Sequence, residues 1–323
     1  MKILRSEPKN FCGEGALDDS RFGNHVKAAG LEQLGDLEHG FVIVGFDDDT
    51  GIRNVGGRTG AASGPEFLRQ KLYKFTTGKP SAPVYDLGDL PPAATIASTH
   101  EAGARIVKRI HEAGHSAVVI GGGHDLGYPH ALGFLQASGG KKVSFLNIDA
   151  HLDVRPVTHG ITSGSPWFLL REHPLFQDTK SKIEEFGIQE HCNATVLVEY
   201  AARHKFGLHW LRDLPPGGRT KAWKSLLRKS GLSLVSLDID SVQWSDAPGC
   251  SAPQTLGFTA TEAVELCRLA GENPKVRSFG LFELSPPLDA DGRTATLAAH
   301  CIKAYLEGKG VWRKEVQKGR RKR

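Results

Sequence analysis

A chain of 323 residues, 39% of them hydrophobic, can build a sizeable core as one large α/β domain or two smaller ones. Its apolar runs are only strand-length, which argues against a membrane span, and Met1–Gly15 lacks the apolar core of a secretory signal. Five cysteines without a repeating spacing argue against a disulfide scaffold, and the net charge of +5 misleads: Lys309–Arg323 holds eight Lys/Arg against one Glu, leaving the body at −2.

These totals point to a reducing, cytoplasmic setting and a basic, solvated C-terminal tail over 309–323. They give no nucleic-acid partner, because the body shows no basic face. Residues 1–40 are polar and weakly periodic, which predicts an irregular N-terminal segment with one short helix over Leu31–His39. Phe41–Phe46 is the first clear strand. Gly51–Gly64 follows, with five glycines beside Arg53, Asn54 and Arg58. Such a loop can bring backbone close to a ligand, although a plain flexible connection reads equally well. Pro65 suits the first turn of a helix over Pro65–Phe75.

Pro83–Leu87 reads as a strand, Ile96–Ala113 as a long helix, and Ala117–Ile120 as a strand running into Gly121-Gly122-Gly123-His124-Asp125. Helix Leu126–Gln136 and strand Val143–Ile148 come next. In the middle the pattern predicts a helix over Ser181–Phe186, strands over Ala194–Val198 and Leu208–Leu211, and a helix over Arg219–Lys229. Ser233–Leu237 is a buried strand. Helix Thr261–Ala270, strand Val276–Phe282 and helix Thr294–Leu306 complete the series. Strands alternating with helices predict a mostly parallel sheet covered on both faces, with ligands at the carboxyl ends of its strands. No repeat or long linker divides it, so one domain over 1–323 is expected.

Val143–Ile148 leads into Asp149, His151 and Asp153, which recur at every second residue and so point one way on an extended backbone. Two carboxylates and an imidazole there are costly to bury unpaired, and a divalent cation relieves the cost. His124, Asp238 and Asp240 stand at the ends of two other strands. Four carboxylates and two imidazoles without a thiolate suit a hard or borderline ion such as Mn(II). Four negative charges exceed one dication, so two ions are the natural count. Paired ions with a bridging hydroxide form a hydrolytic device, because metal binding brings the pKa of water towards neutrality. Singly, each cluster has a plainer reading, a turn histidine or a capping aspartate; three strand ends together are far more specific.

Gly121-Gly122-Gly123-His124, Asp149-Ala150-His151-Leu152-Asp153 and Ser236-Leu237-Asp238-Ile239-Asp240 resemble the three signature segments of the ureohydrolase family, which includes arginase, agmatinase and formimidoylglutamase. The resemblance runs from about Phe41 to Leu306. It implies a three-layer α/β/α fold with a mainly parallel, about eight-stranded sheet and a binuclear manganese centre. By position, His124, Asp149, Asp153 and Asp238 would hold one ion and Asp149, His151, Asp238 and Asp240 the other, with Asp149 and Asp238 bridging. Ile52–Gly64, Asp153–Pro156, Ser163–Trp167 and Ala247–Pro253 are most similar to the formimidoylglutamase branch. Trp167 and Phe168 stand where arginase-like sequences carry a histidine.

That branch implies hydrolysis of N-formimidoyl-L-glutamate to L-glutamate and formamide by a metal-bridging hydroxide. Glu283 matches the carboxylate that contacts the amidine, and two N–H groups on one carboxylate make chemical sense of it. Asp153 is the candidate proton acceptor. The substrate's two carboxylates call for cations, with Arg155 the first candidate and Asn54 and Arg58 behind it; Ser163 and Ser165 are candidate donors to the amino-acid end. An agmatinase, an arginase, a guanidino-acid hydrolase and a non-catalytic arginase-like protein are the rivals. Oligomeric state is not legible, and a homo-oligomer is compatible with everything above.

Overall fold

A computed structural model describes residues 20–77 and 80–311. The extreme N-terminal segment and the tail beyond Val311 lie outside the described residues. Among the described residues nine strands form one sheet: β1 Val26–Ala28, β2 Phe41–Phe46, β3 Val84–Leu90, β4 Ser116–Ile120, β5 Val143–Ile148, β6 Lys182–Ile188, β7 Gly207–Trp210, β8 Leu232–Asp238 and β9 Val276–Phe282. Their order is β1-β3-β2-β4-β9-β8-β5-β6-β7. Every pairing is parallel. The expected count of about eight is corrected to nine. The extra strand, β1, is three residues in a polar stretch and is held only through the edge of β3. Too short to show a period, it left no pattern to read.

The helices are α1 Thr50–Asn54, α2 Gly64–Leu72, α3 Ile96–Glu112, α4 Gly127–Ala137, α5 Pro166–Glu172, α6 Pro174–Asp178, α7 Thr195–Arg203, α8 Arg219–Lys229, α9 Ala260–Glu272 and α10 Arg293–Gly308. They make the three layers. On one face, Leu68 of α2, Trp223 of α8, Leu266 of α9 and Ile302 of α10 pack on Ile43, Val118, Leu146 and Val235. On the other, Ile106 of α3, Phe134 of α4, Leu170 of α5 and Leu197 of α7 pack on Val42, Val44, Val119 and Leu234. Neighbouring strand residues thus go to opposite faces, both of them dry, which is why these strands read as continuous apolar runs. Thr259 caps α9 through the N–H of Glu262, whose carboxylate returns to the Thr259 N–H. Among the described residues no helix is long and apolar enough to cross a membrane.

Two middle elements are corrected. Residues 182–188 form strand β6, not a helix, and residues 195–203 form helix α7, not a strand. Taken locally, the charges in Lys182-Ile183-Glu184-Glu185 fit an exposed helix as well as a strand. In the sheet, Glu184 pairs with Lys182 and with His209 of β7, while Glu185 is buried beside Asn147 of β5. In α7 the β-branched Val196 and Val198 suggested a strand, yet the buried pair is Leu197 and Ala201, four apart as on a helix. The segment expected as a helix over Leu31–His39 is a 3₁₀ turn over Leu31–Asp36. α5 and α6, each a short helix opened by a proline, had not been anticipated.

In the sheet order β4, β9, β8 and β5 are consecutive, so the residues that follow them meet at one place. A crossover follows each of β4, β5 and β8, and the last helix, α10, follows β9. The ends that carry His124, Glu283, Asp238 and Asp149 therefore form the crevice where the direction of winding reverses.

Candidate metal centre

The glycines before His124 are there for space. A side chain on Gly122 would meet the Asp48 carbonyl oxygen at 2.0 Å, and one on Gly121 would meet the Phe282 ring at 2.0 Å. With both positions bare, His124 sits under the neighbouring strand ends, stacked on Phe282 with ring centroids 5.1 Å apart. Its two nitrogens face different chemistry. Nε2 is 2.9 Å from Ser236 Oγ on β8. Nδ1 is 3.1 Å from Asp149 Oδ2, 2.9 Å from Asp153 Oδ2 and 3.1 Å from Asp238 Oδ2. None of these three contacts has hydrogen-bond geometry, and Nδ1 is left without a bonded partner.

A second set adjoins the first. His151 Nδ1 lies 3.1 Å from Asp240 Oδ2 and 3.5 Å from Asp149 Oδ1. The potential ligand atoms of His124, Asp149, Asp153 and Asp238 lie within 4.8 Å of one another, as do those of Asp149, His151 and Asp240. Asp149 belongs to both sets, one oxygen to each. Asp238 is in the first only, and its Oδ1 accepts the N–H of Asp240 at 2.8 Å.

The donors fit divalent cations. One imidazole N–H can satisfy one carboxylate, not three, and here no N–H···O line meets any of them. The orphaned Nδ1 and the equally orphaned Asp240 Oδ1 are buried polar atoms that a cation would satisfy. The charges point the same way. Burial opposes a charged His124, yet Asp149, Asp153 and Asp238 outweigh it and hold the ring well above its ordinary pKa. Burial and the Asp240 and Asp149 charges push Asp238 well up, and burial raises Asp240 to about 6. Asp149 alone is held low: burial raises it, but His124 and His151 overcome that. Such crowding of acids is the field a pair of dications relieves.

Glu283 follows β9 and is buried, its Oε1 accepting the backbone N–H of His124 at 2.9 Å. Burial, then the Asp238 charge, pushes its carboxyl well up. Asp153 and Glu283 both hold left-handed backbone, at φ 47° and 67°. Strain of this kind in non-glycine residues collects at functional sites.

The expected substrate contacts divide. Arg155 is exposed, its stem lying across Gly164, and among the described residues its guanidinium has no ion pair. Arg58 instead donates to the carbonyls of Ser251 at 2.9 Å and Cys250 at 2.8 Å. Asn54 donates to the Ile161 carbonyl at 2.8 Å. Ser165 Oγ is buried against Thr162 Oγ1 at 3.0 Å, and Ser163 donates its N–H to the Gly51 carbonyl. Asn54, Arg58 and Ser163 thus tie loops to one another, whereas Ser165 closes its own turn on Thr162. Cys250 is a buried thiol whose pKa burial pushes well up, which suits an inert packing residue. A cavity of ≈ 640 Å³ opens at the ends of β6 and β7, lined by Trp210, Leu214, Arg219, Leu256 and Glu262, and none of the metal set lines it.

Ser236 had gone unassigned in the sequence, although its two-residue spacing from Asp238 puts both on one side of β8. Residues 39–307 match the arginase family. The chain belongs to the arginase family. Within it, the chain is 33% identical to the formimidoylglutamase of Aromatoleum aromaticum over 81% of both chains. It is 31% identical to that of Streptococcus pyogenes serotype M3, over 81% of this chain and 82% of the relative. A Trypanosoma cruzi formiminoglutamase structure with Mn2+2 superposes with a TM-score of 0.80 at 30% identity, covering 90% of this chain and 99% of that one. That relative's structure holds Mn2+2, and this chain's acid-rich strand ends are its own candidate metal ligands.

Proposed function

We propose that this chain hydrolyses N-formimidoyl-L-glutamate to L-glutamate and formamide, with two manganese ions held by His124, Asp149, Asp153 and Asp238 and by Asp149, His151, Asp238 and Asp240. The observation that carries the proposal is Asp149 offering one oxygen to each of two adjoining ligand sets, with Glu283 beside them. Manganese supplies Lewis acidity and brings water into play as a nucleophile near neutral pH.

The chain's own residues do the rest. Glu283 receives the formimino N–H groups as a carboxylate, because a cationic amidine beside it lowers the pKa of the buried carboxyl. Arg155 clamps a substrate carboxylate, its guanidinium being uncommitted. Asn54, Arg58 and Ser163 hold the loops that form the rim, and Ser165 supports that rim from inside through Thr162. As water adds to the formimino carbon, Asp153 takes its proton, a task suited to a carboxyl raised by burial and by Asp149. Asp153 returns that proton to the nitrogen of glutamate as the C–N bond breaks. Residues 1–323 work as one domain, in the cytoplasm, on a small molecule, without a nucleic-acid partner.

The test is a substrate panel with the Mn(II)-loaded protein. Glutamate and formamide should appear from formimidoylglutamate, and little urea from arginine or agmatine. Replacing Arg155 by Met should raise KM roughly 10–100-fold while leaving kcat within a few-fold, since a charged bidentate contact common to ground and transition states is what is lost. Urea release dominating the panel would move the chain to another branch of the family.

A further inference from the structure

Asn193 lies just beyond β6, in the turn after Glu190–Cys192, and is nearly buried at 9% exposure. Its Oδ1 accepts the N–H of Leu152 at 2.8 Å, and its Nδ2 donates to the carbonyls of Ala150 at 2.9 Å and Gln189 at 2.7 Å. Ala150 and Leu152 flank His151.

Residues 149–155 belong to no helix or strand, so their peptide groups need partners from elsewhere. The outer ligands have them. Asp149 donates its N–H to the Phe186 carbonyl at 3.1 Å, and the Asp153 carbonyl accepts from Trp167 at 3.1 Å. His151 sits between, its own N–H turned in to Asp149 Oδ1 at 2.7 Å. Among the described residues Asn193 is the one side chain that bonds the backbone on both sides of His151. An amide suits the task, having an acceptor for Leu152 and donors for the two carbonyls. The turn is itself fixed: Gln189 Nε2 donates to the Leu256 carbonyl, and His191 Nε2 lies 2.9 Å from Gln254 Oε1.

We infer, on the basis of the two-ion centre proposed above, that Asn193 is a positioning residue that sets His151 for one of the two ions without touching either. The ion it serves is the one shared by Asp149, His151 and Asp240. The ion of His124, Asp153 and Asp238 does not depend on it, because those ligands are anchored by β4, Trp167 and β8.

The test is titration of the metal-free full chain with Mn(II), followed by calorimetry and by the magnetic coupling of paired ions in electron paramagnetic resonance. Wild type should bind two ions and show the coupling. Asn193→Ala should keep one ion near wild-type affinity, bind the other roughly 10–100-fold more weakly, and lose the coupled signal at two equivalents. Asn193→Asp, equal in size but with no donor for the two carbonyls, should do the same and carries the test should the alanine variant not fold. Wild-type affinities for both ions in a folded variant, or an equal loss at both, overturn the assignment to Asn193 alone. A wild type that takes up fewer than two ions overturns the two-ion centre and the inference together.

Discussion

His124 turns its Nε2 to a hydroxyl and its Nδ1 to three carboxylates. A cation at Nδ1 needs that nitrogen's lone pair, which leaves the proton on Nε2 with Ser236 Oγ as its acceptor. Ser236→Ala removes that acceptor and leaves a buried N–H unsatisfied. Mn(II) affinity at this half of the centre should fall roughly 10–100-fold, with little change in the His151 half. A titration resolving the two ions checks it, and equal affinities in the variant and wild type would show the hydroxyl to be idle. The ligands were legible residue by residue because metal chemistry restricts the types to Asp and His and strand ends give the spacing. Asn193 and Ser236 were not singled out, since a lone amide or hydroxyl has countless uses and only its neighbours in space select one.

At the scale of elements, β2, β4, β5 and β9 were legible because both their faces are dry and apolar residues predominate in them. β6 and α7 were exchanged because local composition and tertiary setting disagree there, and the setting decides. Glu185 is a carboxyl inside the sheet, which its sequence neighbours do not announce. A comparable case joins α3, α4 and β9, where His111 and His130 both reach Ser278 Oγ, at 3.1 and 2.8 Å. Burial and then the Arg277 charge lower His111 from 6.5 to about 3, so the folded chain keeps it neutral. Below about pH 6.5 the unfolded chain gains a proton that the folded chain refuses. Stability from this site is therefore full above 6.5 and is lost as pH falls towards 3. His111→Phe should flatten the fall of Tm over that range relative to wild type, both measured with metal removed. His111 is only half-buried as a residue, so the effect is smaller than the full shift. Parallel Tm curves would mean that His111 titrates normally.

For the molecule as a whole, alternation along the chain announced a parallel sheet but not its order. That β9, last in sequence, enters between β4 and β8 is a long-range choice, and it alone brings Glu283 to His124 across 159 positions. The same order separates what folds the chain from what loads it. The two apolar clusters lie on the faces of the sheet, whereas the acids gather at its carboxyl edge. Chelation should therefore relax the edge and spare the layers. Far-UV circular dichroism should stay near its starting value after EDTA, while Tm falls by roughly 5 °C, the scale of a ligand at about 100 times its Kd, or ~2.7 kcal/mol, in a chain of this size. Returning Mn(II) should restore it, because the crowded carboxylates that repel one another again have cations between them. Wholesale loss of helix and strand signal on chelation would mean instead that the ions are part of the core, as in small metal-dependent folds.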